Sequence, residues 1–253
     1  MAAAAVCPIC GGTGWKIIER AGLSGAEPCR CAGEARAEAL QDNSGIPPKY
    51  AQATLQNFVV PNDNPVTRPT VAKALITTTR FVQDFPTGDH LGLLIAGDTG
   101  TGKTHLAVGA AKVLMEKGHQ CVFFDYQNLL DRIRSSYDKA SGSGDREAYG
   151  SAMESDVLVL DDLGSHRVTE WVEDIVTSII TYRYNNRKAL IVTTNLDPKG
   201  AAGYTTEGGA QVSKKSLREV IGARASSRLS EMCRPVDLFG VEDYREKRAR
   251  STR

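Results

Sequence analysis

Eight residues constrain this chain more than any others: Gly97-Asp98-Thr99-Gly100-Thr101-Gly102-Lys103-Thr104. They match the phosphate-loop pattern Gly-x-x-x-x-Gly-Lys-Ser/Thr in full, with a short apolar run (91–96) before them and a helical segment (104–117) after. Such a loop needs a strand to feed it and a helix to leave it. The glycines let main-chain N–H groups approach phosphate oxygens, and the helix N-terminus adds favourable partial charge. Lys103 is then expected to reach the β- and γ-phosphates. Thr104 is expected to hold Mg2+ through its hydroxyl.

The second half of a nucleotide site is an apolar strand ending in acids, and Val157-Leu-Val-Leu-Asp161-Asp162 supplies it. Asp161 suits a magnesium ligand, usually through water, and Asp162 an orienter of attacking water. Many ATPases carry Glu at the second position, so the shorter Asp162 weakens the hydrolytic assignment relative to the metal one. The next strand runs into Thr194-Asn195, and Asn195 suits a polar contact between the acidic strand and the γ-phosphate. No Asn-Lys-x-Asp guanine-reading sequence occurs, since Asn195-Leu196-Asp197 lacks the lysine; ATP is favoured over GTP.

Around these motifs, strand and helix signals alternate. Helical spacing covers 66–85, 104–117, 128–137, 170–185 and 216–232. Short apolar runs at 91–96, 120–124, 157–160, 189–194 and 235–239 read as strands. Segments 139–149 and 201–215, rich in Gly and polar residues, read as loops, and the basic tail 244–253 as a frayed end. The alternation predicts an α/β fold with a parallel sheet between helices. Three regions follow: a Cys-rich module (1–33), a helical linker (34–65) and a P-loop domain (66–253).

A formal net charge of +1 over 253 residues excludes a globally basic nucleic-acid binder, so any DNA contact must come from a local patch. No stretch approaches the roughly 20 apolar residues of a membrane span. Residues 1–6 are small, apolar and uncharged, and do not read as a signal peptide. A cytoplasmic location is therefore expected, where thiols stay reduced and clustered cysteines read first as metal ligands. Cys7-Pro-Ile-Cys10 and Cys29-Arg-Cys31 can complete a tetrahedral, structural Zn2+ site. A disulfide pair or free thiols are the alternatives. Cys121 and Cys233 read as small buried hydrophobes. His90, His105, His119 and His166 show no paired spacing and are expected to bind no metal.

Several segments together resemble the DnaC-like bacterial helicase loaders, AAA+ ATPases of the initiator branch related to the IstB-like ATPases. These are Leu158-Val-Leu-Asp-Asp-Leu-Gly164, Tyr182-Arg-Tyr-Asn-Asn-Arg187, Thr193-Thr-Asn195, Ile221-Gly-Ala-Arg224-Ala-Ser-Ser-Arg228-Leu-Ser-Glu-Met-Cys233 and Asp243-Tyr-Arg245. The resemblance spans residues 45–247. It implies an AAA+ core and a loader that delivers the replicative DNA helicase to single-stranded DNA. It implies that Arg228 is an arginine finger serving a neighbouring subunit's ATP, accompanied by Arg224, so that subunits self-associate through the ATP interface. Arg245 takes the second-sensor position, although the short C-terminus leaves little room for a lid domain. Arg134, Tyr137, Thr169 and Trp171 fall where the family grips DNA, and the N-terminal region where it contacts the helicase. Two other readings stand beside the loader: an IstB-like transposition helper, and a non-hydrolysing adaptor switched by ATP.

Overall fold

In a computed structural model, the structure describes residues 7–11, 13–20, 23–136, 143–165, 169–198, 200, 204–205, 211–212 and 216–251. Among these, five parallel strands form the central sheet: β3 (Gly92–Gly97), β4 (Cys121–Asp125), β5 (Val157–Asp161), β6 (Ala189–Thr194) and β9 (Cys233–Leu238). Their spatial order is β4-β5-β6-β3-β9. The register places Val159 beside Ile191, Ile191 beside Leu93, and Leu93 beside Arg234. Parallel strands end at one edge of the sheet, so the P-loop after β3, the acids after β5 and the polar end of β6 share that edge.

Strand side chains alternate between two faces, and the core divides accordingly. Leu93, Ile95, Val157, Val159 and Ile191 point to one layer. Helices α2 (Arg68–Asp84) and α3 (Lys103–Glu116) cover it through Val71, Phe81, Leu106 and Leu114. Leu94, Leu158, Leu160, Leu190 and Val192 point to the other. That layer is covered by α4 (Tyr126–Ser136), α5 (Ser143–Glu154), α6 (Glu170–Asn185) and α7 (Leu217–Met232).

Three sequence expectations are corrected. Segment 139–149 is not a loop throughout: α5 begins at Ser143 and buries Ala148 and Ala152. Among its described side chains the fully buried ones are these two alanines, with Tyr149 and Met153 only partly buried against the same core. The tail is not frayed: α8 (Tyr244–Ser251) is helical, and Lys247 pairs with Asp63 and Glu242. Within 201–215, the described residues form a two-stranded ladder, β7 (Tyr204–Thr205) with β8 (Gln211–Val212). The helix expected over 216–232 starts with a Ser216–Glu219 capping box and is broken at Gly222 (φ 80°, ψ 157°).

The N-terminal region is a hairpin, β1 (Trp15–Arg20) with β2 (Leu23–Pro28), followed by α1 (Arg30–Asp42). Cys29 is the N-cap residue of α1, so this helix runs through the boundary expected at 33. Arg36 donates to the Gly118 carbonyl at 3.1 Å and so holds α1 against the C-terminal end of α3. Beyond α1, the chain makes a 3-10 turn (Pro48–Tyr50) before α2. No helix among the described residues is long and apolar enough to cross a membrane.

Candidate nucleotide site and cysteine cluster

The loop 97–104 wraps between β3 and α3, with left-handed φ at Gly100 (76°) and Gly102 (93°). Side chains at these positions would also collide. A Cβ on Gly102 would lie 2.7 Å from the Phe58 ring, and one on Gly100 would overlap the Asp243 carboxylate. The glycines therefore permit both the turn and the close approach of two distant segments. Tyr244 N–H donates to the Gly100 carbonyl (3.1 Å), and Gly240 N–H to Asp98 Oδ2 (3.0 Å). Thr101 Oγ1 donates to the Asp98 carbonyl at 2.9 Å, tightening the loop. Gly97 is packed against Leu238, and Thr99 lies exposed at the loop's crest.

Lys103 is buried and donates through Nζ to the Asp98 carbonyl at 2.6 Å. Burial lowers its pKa, with Asp162, Asp161 and Asp98 pulling the other way and Arg245 adding to the depression. Asp161 shows the converse. Burial raises its pKa, opposed by hydrogen bonds from Thr193 and Thr104. Thr104 Oγ1 donates to Asp161 Oδ2 at 3.3 Å, and Thr193 Oγ1 to Asp161 Oδ1 at 2.6 Å. Thr193 Oγ1 also accepts from Asp162 N–H at 2.8 Å. Asp162 has φ 59°, and Asn195 Nδ2 donates to its Oδ1 at 2.7 Å. A buried cation, Lys103, and the buried end of Asp161 thus sit together at the end of the sheet beside Asp162, with Lys103 and Asp161 penalised by desolvation. An anion beside Lys103 and a hard cation between Thr104 and Asp161 would each relieve that penalty. The oxygen donors suit magnesium.

Beside the loop opens a cavity of about 770 Å³, walled by Tyr50, Phe58, Val60, Val71, Val241 and Arg245. Apolar walls next to a phosphate loop have the make-up of a base-binding pocket. Phe58 also meets His105 edge-on (5.4 Å between centroids), and His105 Nε2 lies 2.9 Å from both the Thr54 carbonyl and Asn57 Oδ1.

The arginines lie apart from this cluster, except for Arg245. Arg228 sits on α7 with its guanidinium carbon 5.8 Å from the Tyr184 ring centroid. Arg224 is exposed one turn earlier, after the break at Gly222. Arg134 lies 5.0 Å over the Trp171 ring. Thr169 caps α6 by accepting from Val172 N–H at 3.4 Å, and Trp171 packs on the core. Tyr137 lies outside the described residues. Phe58 was not singled out from sequence, and Thr193 and Asp243 entered there within quoted segments, without a role of their own. Phe58 left no signal there.

At the N-terminus, the sulfurs of Cys7, Cys10, Cys29 and Cys31 all lie within 4.8 Å of one another. Cys7 and Cys29 are 3.9 Å apart, and Cys10 and Cys31 3.3 Å. A tetrahedral zinc with Zn–S near 2.3 Å needs sulfurs about 3.8 Å apart, so the donor set fits. Gly14 N–H points at Cys10 Sγ (3.3 Å), an outer contact common around metal thiolates. Crowding by Cys10, Cys29 and Cys7 pushes the Cys31 thiol well up, a conflict that a bound dication would remove. Cys121 and Cys233 are buried elsewhere in the core.

Parallel sheet, phosphate loop, paired acids and the polar end of the neighbouring strand define a P-loop ATP-binding protein of the AAA+ class. Comparisons with known proteins agree. The family model for IstB-like ATP binding protein matches residues 75–200. The uncharacterised protein YqaM of Bacillus subtilis is 26% identical over 182 residues, 68% of this chain and 55% of that protein. The replicative helicase loader DnaC of Escherichia coli is 22% identical over 154 residues, 61% of this chain and 60% of that one. Against the crystal structure of the DnaC helicase loader, identity is 31% and the TM-score 0.60, covering 76% of this chain and 99% of that one. The chain belongs to the DnaC-like family of AAA+ proteins, and spans about three fifths or less of the length of these two curated relatives.

Proposed function

We propose that this protein is an ATPase that loads the replicative DNA helicase onto single-stranded DNA during replication. The observation that carries this reading is the likeness to the DnaC helicase loader across nearly all of that solved chain, combined with the cluster of Lys103, Asp161, Asp162 and Asn195. Backbone amides of 98–104 and Lys103 cradle the phosphates. Thr104 and Asp161 hold magnesium, which when bound neutralises charge on the β- and γ-phosphates. Asp162 orients and polarises the attacking water. Asn195 fixes that carboxylate and faces the γ-phosphate. Arg228 and Arg224 complete the site of a neighbouring subunit, so turnover by a lone subunit is slow, and Arg245 contacts the phosphates within its own subunit. Arg134, Tyr137, Thr169 and Trp171 form the DNA-facing group, with an arginine for phosphate and an aromatic ring for a base. Zinc on the four cysteines holds the hairpin that docks the helicase.

The test is co-purification with the host replicative helicase, comparing the whole chain with one lacking residues 1–33. The whole chain retains the helicase and the truncated one does not; failure of the whole chain to bind removes the loader reading. The match to the IstB-like model favours a second reading, a helper ATPase for a transposase. Capture of a transposase in place of the helicase would decide for it. No hydrolysis with or without single-stranded DNA would leave an ATP-switched adaptor, the outcome that Asp162 in place of Glu makes worth testing.

A further inference from the structure

Tyr184, near the C-terminal end of α6, is held at two points. Its ring packs against the helical core layer, and its hydroxyl donates to Glu231 Oε1 on α7 at 2.7 Å. That bond keeps the phenol pKa above its ordinary value, so the hydroxyl stays a neutral donor. Arg228 lies three residues before Glu231, on the same side of the helix, with its guanidinium 5.8 Å from the ring centroid. The carboxylate that could neutralise this arginine accepts from the tyrosine instead. Among the described residues no ion pair engages Arg228, so its N–H donors are not spent on an internal carboxylate.

We propose that Tyr184, braced by Glu231, is a positioning residue that holds Arg228 ready to reach a nucleotide on another copy of this chain. This rests on the trans role proposed for Arg228. A long flexible side chain that must meet a partner's phosphate loses conformational freedom on arrival. A ring that already seats the guanidinium by cation–π attraction removes part of that cost. Because the ring is carried by α6 and tied through Glu231 to the same helix that bears Arg228, the seat and the arginine stay in register as α7 engages a neighbour. Tyr184 touches no reacting atom; it acts through Arg228 alone.

The experiment mixes two inactive proteins: Lys103→Ala, which can donate a finger but not bind ATP, and Arg228→Ala, which can bind ATP but donates no finger. Restored hydrolysis establishes action in trans; none restored overturns that role and this assignment with it. Tyr184→Leu is then placed in one partner at a time. In the finger donor it lowers kcat about fivefold with KM for ATP unchanged. In the ATP-binding partner it changes neither. Tyr184→Phe, which keeps the ring and loses the Glu231 bond, gives a smaller loss in the donor. With complementation intact, no loss in the donor, or equal loss in both placements, overturns the assignment while leaving the trans role standing.

Discussion

The sheet domain and the N-terminal hairpin reach stability by opposite means. In the domain, Leu93, Ile95, Val159 and Ile191 are fully buried, and successive strand residues feed two cores. In the hairpin, Ile9, Trp15 and Ile17 are 62%, 56% and 77% exposed. The residue buried in the cysteine cluster itself is Cys29. A segment that leaves its large apolar side chains in solvent gains little from the hydrophobic effect. Its shape must be set by the four converging sulfurs. The contrast teaches that one chain can carry a fold held by buried area beside a segment that lacks such area and offers four clustered sulfurs to a metal, and that each should fail under a different insult.

The largest expected effect breaks the hairpin alone. Structural zinc in small modules supplies on the order of 10 kcal/mol at neutral pH. Chelation, or Cys29→Ser, should release the metal and open 15–28 to protease, while the thermal transition of the sheet domain persists. Zinc analysis with limited proteolysis checks this; joint melting of both regions would erase the distinction drawn above.

Next comes a break in the domain alone. Arg183 is 0% exposed, and its guanidinium donates to the carbonyls of Ala152, Met153, Ser155, Asp156 and Ala189. It ties the end of α5 to the starts of β5 and β6. Desolvation brings its pKa down to about 10, so it stays charged at neutral pH. Arg183→Met should cost about 3–5 kcal/mol in urea unfolding, because it strands those carbonyls, with zinc content unchanged.

A smaller effect concerns Asp161. Burial raises its pKa in the folded state, so the fold binds this proton more tightly than the unfolded chain does. Its contribution is therefore most favourable at low pH, and is lost as pH climbs from the ordinary carboxylate value through the raised one. Asp161→Asn should raise the melting temperature of the nucleotide-free protein at neutral pH and flatten this part of its pH dependence. It should also abolish stabilisation by ATP with magnesium, as scanning calorimetry would reveal. The smallest change is expected from Lys247→Ala. Its pairs with Asp63 and Glu242 are largely solvated, so melting should barely move, and less still in high salt.

Much of the nucleotide site was legible because it is contiguous. Gly97–Thr104 and Val157–Asp162 each carry a residue pattern within eight positions, and an apolar strand announces each. What stayed hidden depends on register or on distant chain. Thr193 matters because β6 lies beside β5, which brings its hydroxyl to Asp161. Phe58 and Asp243 reach the P-loop from opposite ends of the chain. Helix α5 was misread because Gly, Ser and charged residues dominate its start and the residues it buries fully, Ala148 and Ala152, are small, and α8 because charge alone says nothing of a docking site. Nor does an arginine within a helical pattern disclose, as at Arg183, that it lies at the centre of the molecule.

Helix α3 has Lys103 at its first position, and α1 rests on its far end through Arg36 and Gly118. Fourteen residues of helix span about 21 Å. The thiol-bound hairpin is thus moored at the opposite pole of the rod that begins at the phosphates. Were a partner to dock on the hairpin as proposed, the mouth at the other pole would stay open for nucleotide to come and go.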